Sequence, residues 1–271
     1  MKLSELGEFG LLAELERRGL AHGIEHDAAE LPGGLVVTQD ALVECVHFRL
    51  HRMPWRDLGF RAAAVNLSDM AASGAAPVGL LVTLGVPAET EVEDVLELYE
   101  GLAETGVPVV GGDTTASPQV IVSVAALGHS ERVPGRAGAR PGDRLVVTGP
   151  LGAAGAAFRS GGFVRPPIRL DEGRLLARDA HAMLDISDGL GPDAGHIAER
   201  SGCRLVIELE RVPLAPGATV DDLGFGEDFE LLAAVEDPGG FAEIGRCEQG
   251  SGVELLLAGR PVELPGYEHF S

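Results

Sequence analysis

The sequence predicts an α+β protein made of two mixed α/β domains of similar size. Helical and strand-like spacings of apolar residues alternate in both halves of the 271-residue chain, and 45% of its residues are hydrophobic. The stretch GRAGARPGDR at 135–144 breaks every spacing with glycine, proline and charge. We therefore expect domains at 1–134 and 135–271, and a chain of this length can bury a full core in each.

The predicted amino-terminal domain begins with a helix. Its predicted elements, in order, are a helix at 3–18, a loop that carries Asp27, a strand at 33–43, a helix at 57–73, a buried strand at 80–86, an acidic amphipathic helix at 91–105, and strands at 107–115 and 119–128. The glycines at 111–112 predict a turn at the end of the first of these two strands, just before Asp113.

The predicted carboxyl-terminal domain again mixes short strands and helices. Its predicted elements are a strand that begins at LVVTG (145–149), helices within 149–158 and 165–180, a strand at 182–187, a helix with Pro192 in its first turn, and short strands in LVIELERV, DFELLAAV and VELLLAG. The glycines of GPLGAAGA lack the Gly-x-Gly start of a dinucleotide fingerprint. They predict close helix packing instead.

Charge and lysine content exclude several classes of function. Lys and Arg number 21 against 42 Asp and Glu, and the net charge of −21 repels nucleic acid and anionic membranes unless cations intervene. The one lysine is Lys2, which excludes both a Gly-Lys-Ser/Thr phosphate-binding loop and a Schiff-base site. The sequence has no Gly-x-Ser-x-Gly elbow, which disfavours a hydrolase with a covalent intermediate.

The amino-terminal stretch and the cysteines predict a cytoplasmic protein with reduced thiols. MKLSELGEFG is polar and acidic, and no apolar run reaches the length of a membrane span. Cys45, Cys203 and Cys247 form no Cys-x-x-Cys pair, and we interpret them as buried structural thiols. We expect neither a nucleic acid nor a membrane as a partner.

Aspartates beside the ends of predicted elements are the most informative pattern. The stretch MLDISDGLGPDAGHI (183–197) places Asp185 and Asp188 on either side of Ser187. Four more aspartates lie beside element ends: Asp27, Asp40, Asp69 and Asp113. For any single one, a cap or an Asx-turn is the commoner role. Together they are typical of a site for Mg²⁺, which prefers oxygen ligands shared with substrate phosphates.

A polyphosphate would bind through metals, arginines and backbone N–H groups, because no usable lysine exists. The glycines before Asp113 allow a close approach of the backbone. Arg136, between the predicted domains, has a planar guanidinium that can reach a phosphate, although a solvated linker is the alternative. His47 can face either the site or the core.

Eight stretches, spread in order over nearly the whole chain, match a known family. They are GEFGLLAEL (7–15), TQDALVECVHF (38–48), AAAVNLSDMAASGAAP (62–77), VVGGDTT (109–115), GRAGARPGD (135–143), LDISDGL (184–190), GEDFELL (226–232) and GYEHF (266–270). In them the chain resembles the thiamine-monophosphate kinase family, within the aminoimidazole-ribonucleotide-synthetase-like superfamily. The pair NLSDMAASGA and DISDGL is specific to this family within the superfamily.

The resemblance implies a synthetase-like architecture with a cleft between the domains, and a homodimer formed through the amino-terminal domains. It implies ATP-dependent phosphorylation of thiamine phosphate to thiamine diphosphate, by direct in-line transfer assisted by several Mg²⁺ ions. The implied metal ligands are Asp27, Thr38, Gln39, Asp40, Asp69, Asp113, Asp185 and Asp188, of which Asp185 and Asp188 form the catalytic pair. The implied ATP contacts are Gly112, Asp113, Arg136 and Ser187. The implied thiamine phosphate contacts are His47, Glu227 and Tyr267.

The physical chemistry of such a transfer agrees with these residue types. The acceptor oxygen belongs to a phosphate monoester whose second pKa is about 6, so no general base is required at neutral pH. The obstacle is repulsion between two anions, which Mg²⁺ held by carboxylates reduces. Tyr267 can cover the cationic thiazolium, and a simply packed tyrosine is the alternative.

The chain departs from the family pattern at a few positions. Glu25, His26 and Asp27 stand where the family usually has Gly-Asp-Asp. Phe225 replaces the first glycine of Gly-Gly-Glu-Asp, Phe229 replaces a common tyrosine, and residues 156–175 are a shortened segment. Three other interpretations stay open at this point. They are a nucleotide-binding regulatory protein of the same fold without turnover, an ATP-dependent ring-closing synthetase, and a plain acidic metal-binding protein.

Overall fold

Two β-sheets with helices packed against them make up the chain. The computed structural model describes residues 2–22 and 26–267, and the predicted α+β class is confirmed. The strands of the first sheet all lie before residue 130, and those of the second all lie after residue 143. The division into domains at 1–134 and 135–271 stays a proposal, which this separation of the sheets supports. Within the described residues, no helix is both long and apolar enough to cross a bilayer.

The amino-terminal half contains a five-stranded sheet with one face covered by helices. Its elements are α1 (Leu3–Arg17), β1 (Ala29–Leu31), β2 (Leu35–Val43), α2 (Trp55–Ala72), β3 (Ala76–Val86), α3 (Val92–Ala103), β4 (Val109–Ala116) and β5 (Ile121–His129). The strand order is β1-β2-β5-β3-β4, with β3 and β4 parallel and all other neighbours antiparallel. Alternate residues of β2, β3 and β5 form a core with α2 and α3.

The carboxyl-terminal half contains a seven-stranded sheet. Its elements are β6 (Arg144–Val147), α4 (Ala153–Arg159), α5 (Leu170–Leu176), β7 (Ala182–Asp185), α6 (Leu190–Ser201), β8 (Arg204–Glu208), β9 (Leu231–Val235), β10 (Ala242–Glu248), β11 (Gly252–Leu257) and β12 (Arg260–Val262). The strand order is β12-β11-β8-β10-β6-β9-β7. Apolar residues at helical spacing on α6, among them Ala194 and Ile197, pack into its core.

Helix α2 joins the two halves. Ala71 and Ala72, at its carboxyl end, are buried in a cluster with Val146, Met183 and other residues of the second sheet. A side chain at Gly173 of α5 would collide with the backbone carbonyl of Ala71. The end of α2 is therefore packed closely against the second half, and Ser68 of α2 donates a hydrogen bond to Asp185 there.

The packing of α2 on α3 depends on one glycine from each helix. A Cβ at Gly59 would lie 1.9 Å from the Leu98 carbonyl oxygen, and a Cβ at Gly101 would lie 1.9 Å from the Arg56 carbonyl oxygen. Because no side chain separates the backbones there, the two helices approach as closely as their main chains allow.

The structure corrects the predicted turn at 111–112. Strand β4 continues through both glycines, and its neighbour is the parallel strand β3. Gly112 has φ 145°, and a side chain there would collide with the backbone of Val82. The glycine is required by the close approach of two strands and not by a turn. Consequently Asp113 lies inside a strand.

Two further predictions were wrong. Asp40 lies inside β2 and not beside the end of an element. Cys45 is exposed, whereas Cys203 and Cys247 are buried as predicted. The short strand β1 was not predicted at all, because three residues are too few to show an alternation.

Candidate active site

A cavity of about 1190 Å³ lies between the two halves. One side is formed by β2, the connection after it and α2; the other is formed by the loops before α6 and β9 and by the last described residues. The predicted site residues that line it are Asp27, Thr38, Gln39, Asp40, His47, Asp69, Arg136, Asp185, Ser187, Asp188, Glu227 and Tyr267. Twelve residues from several separate stretches of the sequence thus meet at one surface.

Strand β2 and helix α2 bring carboxylates together on the amino-terminal side. Thr38 and Asp40 are two positions apart on β2, so both side chains point to the same face of the sheet. Thr38 Oγ1 lies 2.5 Å from Asp69 Oδ2 and 3.2 Å from the Asp27 carbonyl oxygen. The Asp40 N–H donates to Asn66 Oδ1 at 3.1 Å. These contacts hold the strand against the helix at the cavity wall.

Asp185 adds a carboxylate from the carboxyl-terminal half. It is the last residue of β7 and is buried, with 5% of its surface exposed. Ser68 Oγ of α2 donates to its Oδ2 at 2.5 Å. A hydroxyl from one half therefore orients a carboxylate from the other.

The carboxylates of this cluster make one another harder to ionise. Burial, and then the charge of Asp27, raise the pKa of Asp185 to about 8. Burial also raises the pKa of Asp69 well above its ordinary value, with the charges of Asp40 and Asp185 acting in the same direction. The pKa of Asp40 is raised by burial and then by Asp27. Oxygen donors that repel one another in this way fit a hard divalent cation such as Mg²⁺.

Arg136 places a positive charge beside the cluster. Its Nη2 and Nε donate to Asp27 Oδ1 at 2.5 Å and 3.0 Å. Its backbone N–H donates to His26 Nδ1 at 3.3 Å, and the imidazole lies against Gly135, where a side chain would collide with it. His26, which departs from the family pattern, thus contacts the segment at Gly135 and Arg136 that leads into the second half. Glu25, the other departure here, lies outside the described residues.

The loop of Ser187 and Asp188 is shaped by Asp193. One oxygen of the buried Asp193 carboxylate accepts the backbone N–H groups of Ser187, Asp188 and Gly189, each at 3.0 Å. These N–H groups are therefore already used within the loop. Carboxylate oxygens of Asp188 and Asp193 and a ring nitrogen of His196 lie within 4.8 Å of one another. The loop presents Asp188 at the cavity with further oxygen and nitrogen donors beside it.

The other end of the cavity contains His47, Arg61 and Glu227. His47 Nδ1 accepts the Val43 N–H at 3.0 Å, which fixes the ring in the turn after β2. Arg61 of α2 donates to the His47 carbonyl oxygen at 2.9 Å and forms an ion pair with Glu227. Glu227 has φ 59°, a left-handed conformation that is unusual for a residue other than glycine.

Aromatic residues lie beside Glu227. The Tyr267 N–H donates to the Asp188 carbonyl oxygen at 3.0 Å, so the last described residue is tied to the loop before α6. Phe225, a departure from the family pattern, packs on Phe158 with ring centroids 5.1 Å apart. All three of these aromatic rings belong to residues that line the cavity. The rest of the matching stretch, residues 268–270, lies outside the described residues.

Three predicted site residues do not join the carboxylate cluster. Gln39 points to the face of β2 opposite to Thr38 and Asp40, where its Nε2 donates to Ser123 Oγ at 3.1 Å. Gly112 and Asp113 lie exposed on β4, at the edge of the sheet, and do not line the cavity. Gly112 was predicted as an ATP contact, and Asp113 as a metal ligand and an ATP contact. Neither residue lies at the cavity of this chain.

Sequence reasoning missed Arg61, Asp193 and His196. Arg61 is the one cation in the largely apolar stretch FRAAAVNL of α2, and this contrast was the available signal. Asp193 lies in the first turn of α6, where acidic residues are common for reasons of helix stability alone. His196 follows it by three positions and shares its helix face.

Comparison with known proteins identifies the family. Residues 25–130 match the family described as AIR synthase related protein, N-terminal domain. The thiamine-monophosphate kinase of Aquifex aeolicus is 33% identical, with 100% of each chain covered. The thiamine-monophosphate kinase of Synechococcus elongatus is 34% identical over 99% of this chain and 98% of the relative. The chain belongs to the thiamine-monophosphate kinase family.

Solved structures agree with membership of the thiamine-monophosphate kinase family. A structure of AaThiL complexed with AMPPCP and TMP has a TM-score of 0.90 at 34% identity and covers 99% of both chains. A HypE–HypF complex has a TM-score of 0.77 at 20% identity, which shows a shared fold alone. The synthetase-like fold implied by the sequence is confirmed.

Proposed function

We propose that this chain transfers the γ-phosphoryl group of ATP directly to thiamine phosphate, with thiamine diphosphate and ADP as products. The observation that carries the proposal is one cavity in which aspartates from both halves lie together with His47 and Glu227. A relative with the same fold over 99% of both chains is complexed with AMPPCP and TMP, which supports ATP and thiamine phosphate as the two substrates.

The proposed metal ligands are the carboxylates at the cavity. They are Asp27, Asp40, Asp69, Asp185 and Asp188, with the Thr38 hydroxyl beside Asp69. When bound, Mg²⁺ neutralises phosphate charge and helps to align the two substrates. Arg136 lies beside Asp27, and we propose that its guanidinium contacts an ATP phosphate. Ser187 lies in the loop that Asp193 shapes, next to Asp188.

The acceptor supplies its own nucleophile. The second pKa of a phosphate monoester is about 6, so an acceptor oxygen is largely deprotonated at neutral pH and no side chain has to remove a proton. The work of the protein is then to hold two anions in line and to exclude water. We propose that Glu227 and Tyr267 contact the cationic ring system, with His47 beside them.

We also propose a homodimer that pairs through the five-stranded sheets. Val78, Leu81 and Val110 are exposed by 54%, 40% and 61% on β3 and β4, and an open sheet bearing such side chains suits a partner. Gly112 and Asp113 lie on this edge strand and would then serve the partner subunit's cavity. Sedimentation should give twice the chain mass of 28.2 kDa. A cytoplasmic location, where ATP is supplied, completes the proposal.

The test is an assay of ADP release with a panel of acceptors at fixed ATP and Mg²⁺. Thiamine phosphate should support ADP release, and thiamine or a formylglycinamidine ribonucleotide should not. Release with the ribonucleotide alone would favour a ring-closing synthetase. ATP binding with no release for any acceptor would favour a regulatory protein without turnover, and metal affinity independent of ATP would favour a plain metal-binding protein.

A further inference from the structure

Arg61 is a buried cation that the proposed chemistry leaves without a role. It lies on α2, and only 5% of its side chain is exposed. Its Nη1 donates to the His47 carbonyl oxygen at 2.9 Å, and its Nη2 pairs with Glu227 Oε1. An isolated guanidinium is costly to bury, so these two partners are what keep it there.

The two partners of Arg61 come from opposite sides of the cavity. His47 belongs to the turn after β2, whereas Glu227 lies 166 positions after Arg61 in the loop before β9. That loop is unusual, because Gly226, Glu227 and Phe229 all have positive φ values of 80°, 59° and 51°. Residues other than glycine keep such a backbone conformation only when neighbouring contacts enforce it. The ion pair with Arg61 is such a contact.

Arg61 lies at the end of the cavity away from the aspartate cluster. Eight positions separate it from Asp69 on the same helix, which corresponds to about 12 Å along the axis. Glu227 and Arg61 both line the cavity, but the Glu227 side chain is 38% exposed, whereas that of Arg61 is only 5% exposed. A ligand whose phosphate lies at the aspartates would extend its ring system towards Glu227, which is the more accessible member of the pair.

We propose that Arg61 is the positioning residue for the ring-binding end of the acceptor site. It holds Glu227 in place while itself anchored on the His47 carbonyl oxygen, and thereby sets the affinity for the cationic rings of thiamine phosphate while leaving ATP binding unaffected. The inference rests on the proposed function and deepens it, because it assigns recognition of the rings to a contact that spans the two halves. A carboxylate held by a buried arginine keeps its direction, which suits a cationic ring with amino substituents.

The experiment measures steady-state kinetics for Arg61→Gln, Arg61→Lys, Glu227→Gln and the Arg61→Gln/Glu227→Gln double variant. Arg165→Gln is the matched control, because Arg165 also bridges separate elements through Asp57 and Glu104 but does not line the cavity. We expect Arg61→Gln to raise KM for thiamine phosphate by about tenfold or more, with kcat and KM for ATP nearly unchanged. Arg61→Lys should recover part of the loss, and the double variant should match Glu227→Gln alone, because Arg61 acts through Glu227.

The outcomes separate this inference from the proposed function. If the unmodified chain makes no thiamine diphosphate, the proposed function fails and the inference fails with it. If the unmodified chain is active and Arg61→Gln has the same KM for thiamine phosphate as the unmodified chain, the inference alone is overturned. Equal losses for both substrates, or strictly additive effects in the double variant, overturn it as well. If Arg61→Gln does not fold, Arg61→Lys replaces it. A raised KM for thiamine phosphate with an unchanged KM for ATP then supports the inference, and any other result overturns it.

Discussion

Asp188 lies in a loop whose backbone N–H groups are taken up by Asp193, so its side chain is the part of the residue that faces the cavity. This arrangement fixes the position of the residue at the surface of the cavity. Its neighbour Asp185 is buried and held by Ser68. At the scale of single residues, neutral hydroxyl groups position Asp185 and Asp69, whereas Asp27 is held by the charged Arg136.

Asp188→Asn should keep the fold and abolish most of the phosphoryl transfer. The substitution removes one charge from the proposed metal ligands without changing side-chain volume, and we expect kcat to fall by about 100-fold. Steady-state assays of ADP release, with circular dichroism for the fold, measure this. The matched control is Asp179→Asn, an exposed aspartate outside the cavity lining, which should be fully active. Normal turnover in Asp188→Asn would remove the residue from the proposed site.

Cys45 carries backbone strain that a glycine would relieve. It has φ 66° in the turn after β2, where its N–H donates to the Phe48 carbonyl oxygen. The left-handed region costs an ordinary residue about 1–2 kcal/mol, and the freedom of glycine in the unfolded chain offsets part of the gain. Cys45→Gly should therefore raise the free energy of unfolding by about 0.5–1 kcal/mol in urea titrations. Cys45→Ala, which retains the strain, should show no such gain; equal stabilities of the two variants would contradict the account.

At the scale of elements, helix α2 contributes residues to the core of the first half, to the junction with the second half and to the site. It contributes Leu58 and Leu67 to the core under the first sheet, Ala71 and Ala72 to the cluster with the second sheet, and Ser68 and Asp69 to the site. Most of its residues are buried, so one helix sets both the junction and the cavity wall. Any shift of α2 on α3 should therefore change stability and the site together.

Gly101→Ala should show how tightly α3 constrains α2. A methyl group there would lie 1.9 Å from the Arg56 carbonyl oxygen, so the helices must separate. We expect a loss of about 2 kcal/mol or more in unfolding free energy, despite the better helix propensity of alanine. The matched control is Gly195→Ala in α6, where a Cβ meets nothing within 4 Å. That variant should be as stable as the unmodified chain or more stable by up to about 1 kcal/mol. Comparable losses in both variants would argue against the close helix contact.

The long, periodic elements could be predicted from the sequence, and the exceptions have physical causes. The helix predicted at 57–73 is Trp55–Ala72, the one predicted at 91–105 is Val92–Ala103, and the strand predicted at 119–128 is Ile121–His129. In the helix Val92–Ala103 and the strand Ile121–His129 one face is buried and imposes its period on the apolar residues, whereas Trp55–Ala72 is buried on most of its surface. The turn predicted in β4 failed because glycine signals both a turn and a close approach of backbones, and only the neighbouring strand decides between them.

At the scale of the whole molecule, the site depends on how the halves pack. The aspartates at the cavity were expected from a resemblance that covers their motifs, and the structure places most of them at one surface. The pair of Arg61 and Glu227 could not be predicted, because its members are 166 positions apart and meet only after both sheets have formed. Gly112 and Asp113 lie on the edge strand β4, away from the cavity, and their service to a partner subunit stays a proposal.

The aspartate cluster should make stability depend on pH and on Mg²⁺. The pKa of Asp185 is raised from 3.8 to about 8, so between these values the folded chain binds more protons than the unfolded chain. The free energy of unfolding contributed by this group therefore falls as pH rises through that window. Without divalent cations, the melting temperature should be lower at pH 8 than at pH 6, and Mg²⁺ should restore it at pH 8.

Asp69→Asn provides the control for this pH dependence. It removes a carboxyl group whose ionisation is opposed by burial and by the charges of Asp40 and Asp185, so at pH 8 without divalent cations the variant should melt above the unmodified chain and gain less from Mg²⁺. Thermal melts of both proteins at pH 6 and pH 8, with and without Mg²⁺, measure these differences in melting temperature. A melting temperature of the unmodified chain that does not respond to Mg²⁺ at pH 8 would contradict the proposed metal ligands.

The most direct test of the central proposal follows the transferred atoms. The chain is incubated with Mg²⁺, thiamine phosphate and ATP whose terminal phosphoryl oxygens are labelled with ¹⁸O, and thiamine diphosphate is measured by mass spectrometry. Direct transfer predicts thiamine diphosphate with all the labelled oxygens of that phosphoryl group retained. Labelled inorganic phosphate with no thiamine diphosphate would contradict the proposed reaction.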